Sequence, residues 1–285
     1  MGTVVGGFVM PHDPMMFTAP DAPPAPVRAR VLQAYEEIAR HVARLRPTTL
    51  VVFGADHYVL FGPGCLPQLL IATGDIDGPV ERLPGLPRAQ LPDDRRLARH
   101  IAGHGHDNGV DWAVAPSITA DHSVVIPYHL VGRSLGLPLI PVYLACGVDP
   151  LLPLHRAAAA GAALRAAVEA YDQDARVVVI GSGGISHWVG TDRMGEINAD
   201  FDRHVLRLVC DGDIDALCAL DDSDVERRAG NGALEIRTFI AAMSAVGPLR
   251  GDVIAYEPVP EWITGLGFAS LTPQTSTPSF RTGGR

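Results

Sequence analysis

Lysine is absent from all 285 residues, so every fixed side-chain cation is an arginine, while 32 aspartates and glutamates bring the formal charge to −9. A chain this acidic lacks the basic footprint that nucleic acid or an anionic membrane surface requires. The missing lysine reads first as codon usage and second as a preference for planar carboxylate recognition. Cysteine is also scarce. Cys65, Cys146, Cys210 and Cys218 are scattered without a CxxC pair, which argues against a zinc-thiolate motif or a disulfide framework and suggests free thiols in a reducing cytoplasm. No apolar run reaches the roughly 20 residues of a membrane helix, and no basic segment precedes the first short one. A soluble cytoplasmic protein is the expectation.

What the chain does have is 47% apolar residues, enough to bury the core of one large domain, with no internal repeat and no seam. Thr3 to Met10, Thr49 to Phe53, Gln68 to Ala72, 111 to 115, Leu137 to Leu144 and Arg176 to Ile180 read as strands. Helical spacing marks 27 to 46, 93 to 103, a segment after Ser123, 151 to 171, 195 to 210 and 232 to 246. Strands alternating with helices predict an α/β fold, a three-layer α/β/α sandwich around a mostly parallel mixed sheet in a single domain. That domain should span 1–271, with 272–285, rich in Ser, Thr, Pro and Gly, as a disordered tail.

Four histidines stand where strand-like runs stop: His12 in VVGGFVMPHDP, His57 in LVVFGADHY, His122 in AVAPSITADHS and His187 in VVVIGSGGISH. Parallel strands ending together would gather them at one sheet edge, where ligands of open α/β sheets bind. Each has a bland alternative as a capping or hydrogen-bonding residue. The turn GSGGIS fits neither a phosphate loop, GxGxxG nor GxSxG, so Ser182 and Ser186 are not read as nucleophiles. His100, His104 and His106 read as a surface cluster near a glycine-rich helix end.

Glu235 lies in GALEIRTFIAAMSAV, sharing a stripe with Phe239, Ala242 and Val246. A carboxylate on a buried stripe must be paired, protonated or metal-bound. Pairing with Arg237 or Arg227 is one outcome. The other is a 2-His-1-carboxylate set of His12, His57 and Glu235, the pattern of non-haem Fe(II) enzymes that keep positions open for substrate and dioxygen. His122 and His187 would then transfer protons, with Asp121 orienting a neighbouring imidazole.

The ordered set formed by His12 after the first strand, VVFGADHY, ADHSVVIP, VVVIGSGGISH, AGNGALEIRTFIAAM and PEWITGLGF, from residue 3 to about 270, resembles the type III extradiol ring-cleavage dioxygenases. The resemblance implies Fe(II) on His12, His57 and Glu235, His187 as acid/base, and His122 as a second proton-transfer residue beside Asp121. It implies a catecholic or aminophenolic substrate cleaved with dioxygen in aromatic catabolism. Some relatives add a small lid subunit, but the C-terminal motifs lean towards a homo-oligomer of one chain. PHDP around His12 departs from the small or hydroxyl residues usual in the family, so substrate contacts at that turn do not carry over. Two alternatives stand beside this reading: a metal-dependent hydrolase using the same His/His/Glu set on zinc, and a non-catalytic binding member of the fold.

Overall fold

Val9, Val51, Phe53, Val177 and Val179 share one apolar core, whereas Phe8, Met10, Leu50, Val52, Val178 and Ile180 share another. Such period-two alternation requires a sheet covered on both faces. The computed structural model, which describes residues 1–274, has that arrangement. Its strands are β1 (Thr3–Met10), β2 (Thr49–Ala55), β3 (Leu69–Ala72), β4 (Ile76–Gly78), β5 (Ala89–Leu91), β6 (Ala113–Ala115), β7 (Ile118–Thr119), β8 (Leu139–Leu144), β9 (Arg176–Ser182), β10 (Leu249–Val259) and β11 (Thr264–Pro273). Eight of them form one mixed sheet in the order β10-β11-β1-β9-β2-β8-β3-β6, and β5-β4-β7 form a smaller one. At its centre β1, β9, β2 and β8 run parallel.

The helix Ala25–Leu45 covers one face through Val31, Ala34, Tyr35, Ile38 and Val42. Helices Arg95–Asp107, Leu154–Glu169, Ala199–Asp211 and Ile236–Val246 supply the core on the other face. The molecule is thus the expected three-layer α/β/α sandwich. Among the described residues no helix is long and apolar enough to cross a membrane.

Several boundaries differ from the sequence reading. The β10–β11 hairpin and the β5-β4-β7 sheet were not expected, because β10 is an edge strand with mixed exposure and the small sheet uses strands of two or three residues. Pairing of Thr272 with Arg250 and of Pro273 with Leu249 carries β11 two residues past the predicted domain end. The rest of the predicted tail, from 275 on, lies outside the described residues. The helix read as 93 to 103 continues to Asp107, so His104 and His106 are helical. Likewise 232 to 246 divides into a 3-10 turn, Asn231–Glu235, and an α-helix, Ile236–Val246, with Glu235 at the junction instead of within the helical stripe.

Arg237 holds that junction in place. Fully buried, it donates to the carbonyls of Leu152 (2.6 Å) and Leu234 (3.0 Å) and to Asp222 (2.5 Å). Arg237 pairs with Asp222 and Arg227 with Asp224, and the ion-pair partners of Glu235 are His12 and His57 instead. At this same end of the sheet, register aligns Met10 with Ser182, Phe53 with Gly181 and Ala55 with Leu144. The central strands therefore end together, and the residues that follow them emerge along one edge.

Candidate metal centre

His12 and His57 follow the ends of β1 and β2, and the turn before Ile236 brings Glu235 between them. His57 Nε2 lies 3.0 Å from Glu235 Oε1 and 3.3 Å from His12 Nε2, and His12 Nε2 lies 3.5 Å from the same Oε1. Adjacent donors around an octahedral ion with bonds near 2.1 Å stand about 3 Å apart, so this triangle has the dimensions of one coordination face.

The outer partners decide which imidazole nitrogen looks inward. Ser182 Oγ donates to the Ser123 carbonyl (2.6 Å), so it accepts from His12 Nδ1–H (2.8 Å). His57 Nδ1–H donates to Asp121 Oδ2 (3.0 Å). Both Nε2 atoms are then lone pairs aimed at a carboxylate oxygen, a cluster of acceptors that repel unless a cation or proton sits among them. On the carboxylate, Gly184 N–H donates to Oε2 at 2.9 Å, which reserves Oε1 for the histidines. A Cβ at Gly183 would stand 3.0 Å from Oε2, so the glycine-rich turn is a cradle for Glu235. The residues present fit a divalent ion with three protein ligands.

Burial disfavours charge on His57, yet its hydrogen bonds to Asp121 and Glu235 outweigh that and raise its pKa to about 10. Burial likewise raises Glu235, but the neighbouring His12 and His57 overcome it and hold the carboxyl well below its ordinary range. Burial pushes the wholly buried Asp121 up, but His57, His122 and Ser123 together overcome it and lower the carboxyl to about 2. Without metal a proton therefore occupies the site through His57 below about pH 10. A metal must displace that proton, so uptake at pH 7 to 9 should release close to one proton, and apparent affinity should rise roughly tenfold per pH unit until the His57 pKa is passed. Calorimetric titration in buffers of different ionisation enthalpy measures both; pH-independent uptake would contradict the assignment of His57.

His122 and His187 complete the group. His122 Nδ1–H donates to Glu81 Oε1 (2.6 Å), whose second oxygen accepts from the His122 backbone N–H (3.1 Å). Nε2 of His122 is thereby left free on a ring 4.2 Å from that of His57. A donor atom of His122 falls within 4.8 Å of donor atoms of both His12 and His57. His187 Nδ1–H donates to the Ile185 carbonyl at 3.1 Å, which leaves Nε2 as the basic nitrogen. Burial, with help from the nearby His57 charge, lowers the pKa of His122; burial also lowers that of His187. All four imidazoles thus spend Nδ1 on an outer acceptor.

A cavity of about 400 Å³ opens onto this group, lined by His12, His57, His122, His187 and Glu235 together with Met15, Val148, Val189, Ile263 and Thr264. Asp121 is not on its wall. It sits behind His57, where it also accepts from Tyr143 and Ser123, so it touches a different imidazole from that of its sequence neighbour His122. The predicted surface cluster stays apart: His100 and His106 donate to the carbonyls of Ala167 and Trp112.

Sequence reasoning missed Ser182, Glu81, Gly232 and Asp202. Asp202 accepts from the Ser186 N–H and hydroxyl and from Tyr256, pinning the loop that carries His187. Ser182 had a usable signal, since it closes a strand whose neighbour closes at Met10, two residues before His12. Glu81 had none: it lies in a Gly- and Pro-rich stretch 41 residues from its partner.

Residues 6–267 match the family described as "Catalytic LigB subunit of aromatic ring-opening dioxygenase". Among curated proteins the chain is similar to a 2,3-dihydroxyphenylpropionate/2,3-dihydroxicinnamic acid 1,2-dioxygenase of Paraburkholderia xenovorans, 30% identical over 89% of this chain and 94% of that one. The enzyme of the same name from Photorhabdus laumondii is 25% identical over 93% and 96%. A crystal structure of an uncharacterized Escherichia coli K12 protein has the same fold, with a TM-score of 0.58 at 12% identity over 93% of this chain and 99% of that one.

Proposed function

Since the chain belongs to the LigB family of aromatic ring-opening dioxygenases, we propose that it is a non-haem Fe(II) extradiol dioxygenase of aromatic catabolism, acting on a catecholic or aminophenolic ring. The observation that carries this reading is the triangle of His12 Nε2, His57 Nε2 and Glu235 Oε1, with every outer partner arranged to leave those atoms as acceptors. Three protein ligands on one side leave the cavity side open for substrate and dioxygen. An Fe(II) ion held there would supply the electron path between a chelated diol and dioxygen, which spin otherwise keeps from reacting.

The remaining work falls to the protein's own groups. His187, neutral at pH 7 with Nε2 free, takes the proton of a ring hydroxyl as general base and can return it later. His122 offers a second proton-transfer nitrogen, its tautomer fixed by Glu81. Asp121 is a positioning residue that holds the His57 ring. Met15, Val148, Val189 and Ile263 give the cavity an apolar wall that limits water beside the reacting ring.

Protein purified and loaded with Fe(II) without air should consume oxygen when a catechol is added and produce a coloured ring-opened product. An iron-loaded protein that takes up no oxygen with any catechol or aminophenol would overturn the proposal. Activity on ester or amide substrates with zinc would replace it with hydrolysis.

A further inference from the structure

Asp13, in the PHDP turn, is one of two carboxyl groups on the cavity wall, with Asp56, that the proposed chemistry leaves idle. The residue is only 5% exposed. Its Oδ1 accepts from the Met15 N–H at 2.8 Å, but Oδ2 is buried without a hydrogen-bond partner. Thr264 is beside it, yet the Thr264 hydroxyl donates to the Trp262 carbonyl at 3.0 Å. Among the described residues two other buried side-chain atoms share that condition, Trp112 Nε1 and Asp222 Oδ1, and neither residue lines the cavity. Buried acceptors in folded proteins almost always have a donor, so a donor from outside the chain fits this one.

Position and charge narrow what that donor belongs to. A Cβ on Gly184 would lie 2.5 Å from Thr264 Cγ2 and 3.0 Å from His187 Cε1. Asp13 and Thr264 therefore stand on the His187 side of the site. Asp56, the other carboxyl group on the wall besides Glu235, is already occupied by the N–H groups of Tyr58 (3.2 Å) and Leu60 (3.1 Å). Burial raises the Asp13 carboxyl to about 7, so at pH 8, where it is mostly ionised, a substituent carrying a carboxylate would meet it as another acceptor, with both left unpaired. A hydroxyl or amino group would satisfy it.

Resting on the reading of this cavity as a catechol site, we propose that Asp13 is a specificity-determining residue that selects a ring bearing a hydrogen-bond donor, a further hydroxyl or an amine, over one bearing a carboxylate. The chain thereby diverges from relatives whose names specify a propionate-bearing ring. Swapping the acceptor for a small hydroxyl residue removes both the demand for a donor and the repulsion.

The test is binding without turnover. Iron-loaded protein at pH 8, without oxygen, is titrated with 4-nitrocatechol, which is then displaced by catechols carrying an ethyl, an aminoethyl or a carboxyethyl chain at ring position 3 or 4. At the preferred position the aminoethyl compound should bind at least about tenfold tighter than the ethyl one, and the carboxyethyl compound at least about tenfold weaker. In Asp13→Ser the three should fall within about threefold, while Asp13→Asn, which keeps an acceptor without the charge, should retain part of the donor preference. Iron content is measured for each variant; should one lose iron, the order of affinities in the wild-type protein decides. A carboxyethyl compound bound more tightly than the ethyl one, or an unchanged spread in iron-loaded Asp13→Ser, overturns the inference alone. Failure of 4-nitrocatechol and every other catechol to bind overturns the ring-cleavage reading with it.

Discussion

Glu235→Ala should lose both its metal and its ring-cleaving activity, and His12→Ala should do the same. Glu235 supplies the single anionic donor of the triangle, and its Oε1 is shared by both histidines at 3.0 and 3.5 Å. Removing it leaves two neutral imidazoles, a set that binds divalent ions far less strongly, and orphans the Gly184 N–H that held Oε2. A lost outer partner gives a scale: such changes weaken metal sites by roughly 10–100-fold, and Ser182→Ala, which frees His12 Nδ1, should fall in that range. Loss of Glu235 itself should exceed it. Metal analysis of desalted protein measures the first effect and oxygen uptake the second. Stoichiometric iron retained by Glu235→Ala would overturn the ligand assignment, whatever the activity.

The strand ends were legible because apolar runs of four to eight residues, closed by polar turns, leave little choice of structure, and in a parallel sheet those ends share an edge. His12, His57 and His187 could therefore be grouped before any coordinates. Glu235 was legible as a buried carboxylate but not as the end of a 3-10 turn, since its spacing to Phe239 and Val246 suits a continuous helix equally well. The division of labour between Asp121 and Glu81 was not legible. The sequence has Asp121 orienting a neighbouring imidazole but does not say which, and the helix beginning at His122 turns the two side chains apart, Asp121 towards His57 and His122 towards Glu81. Edge strands such as β10 escaped for a related reason: with one side in water, they carry no continuous apolar run.

Gly232→Ala should keep its iron and lose about 100-fold in kcat, the scale of a misplacement of roughly 1 Å at a reacting group. A Cβ at Gly232 would stand 2.0 Å from His187 Nε2 and 2.2 Å from Cδ2, closer than any real contact. The imidazole cannot yield by moving with its backbone, because His187 N–H donates to Ala229 O (2.8 Å) and Gly232 N–H donates back to His187 O (3.1 Å). The ring must therefore rotate, which breaks the Nδ1 bond to Ile185 and turns the basic nitrogen away from a substrate hydroxyl. His187→Ala should cost about 100- to 10,000-fold, the usual range for a general base, again with iron retained. Combining the two changes should give little beyond His187→Ala alone, since both remove one function. Below its lowered pKa, His187 gains a proton and can no longer accept one, so wild-type kcat/KM should fall on the acid side, with that limb set below pH 6.5. In His187→Ala the same limb should vanish. Iron lost from Gly232→Ala would instead mean that the turn serves Glu235 more than His187; full additivity of the two changes would separate Gly232 from the base altogether.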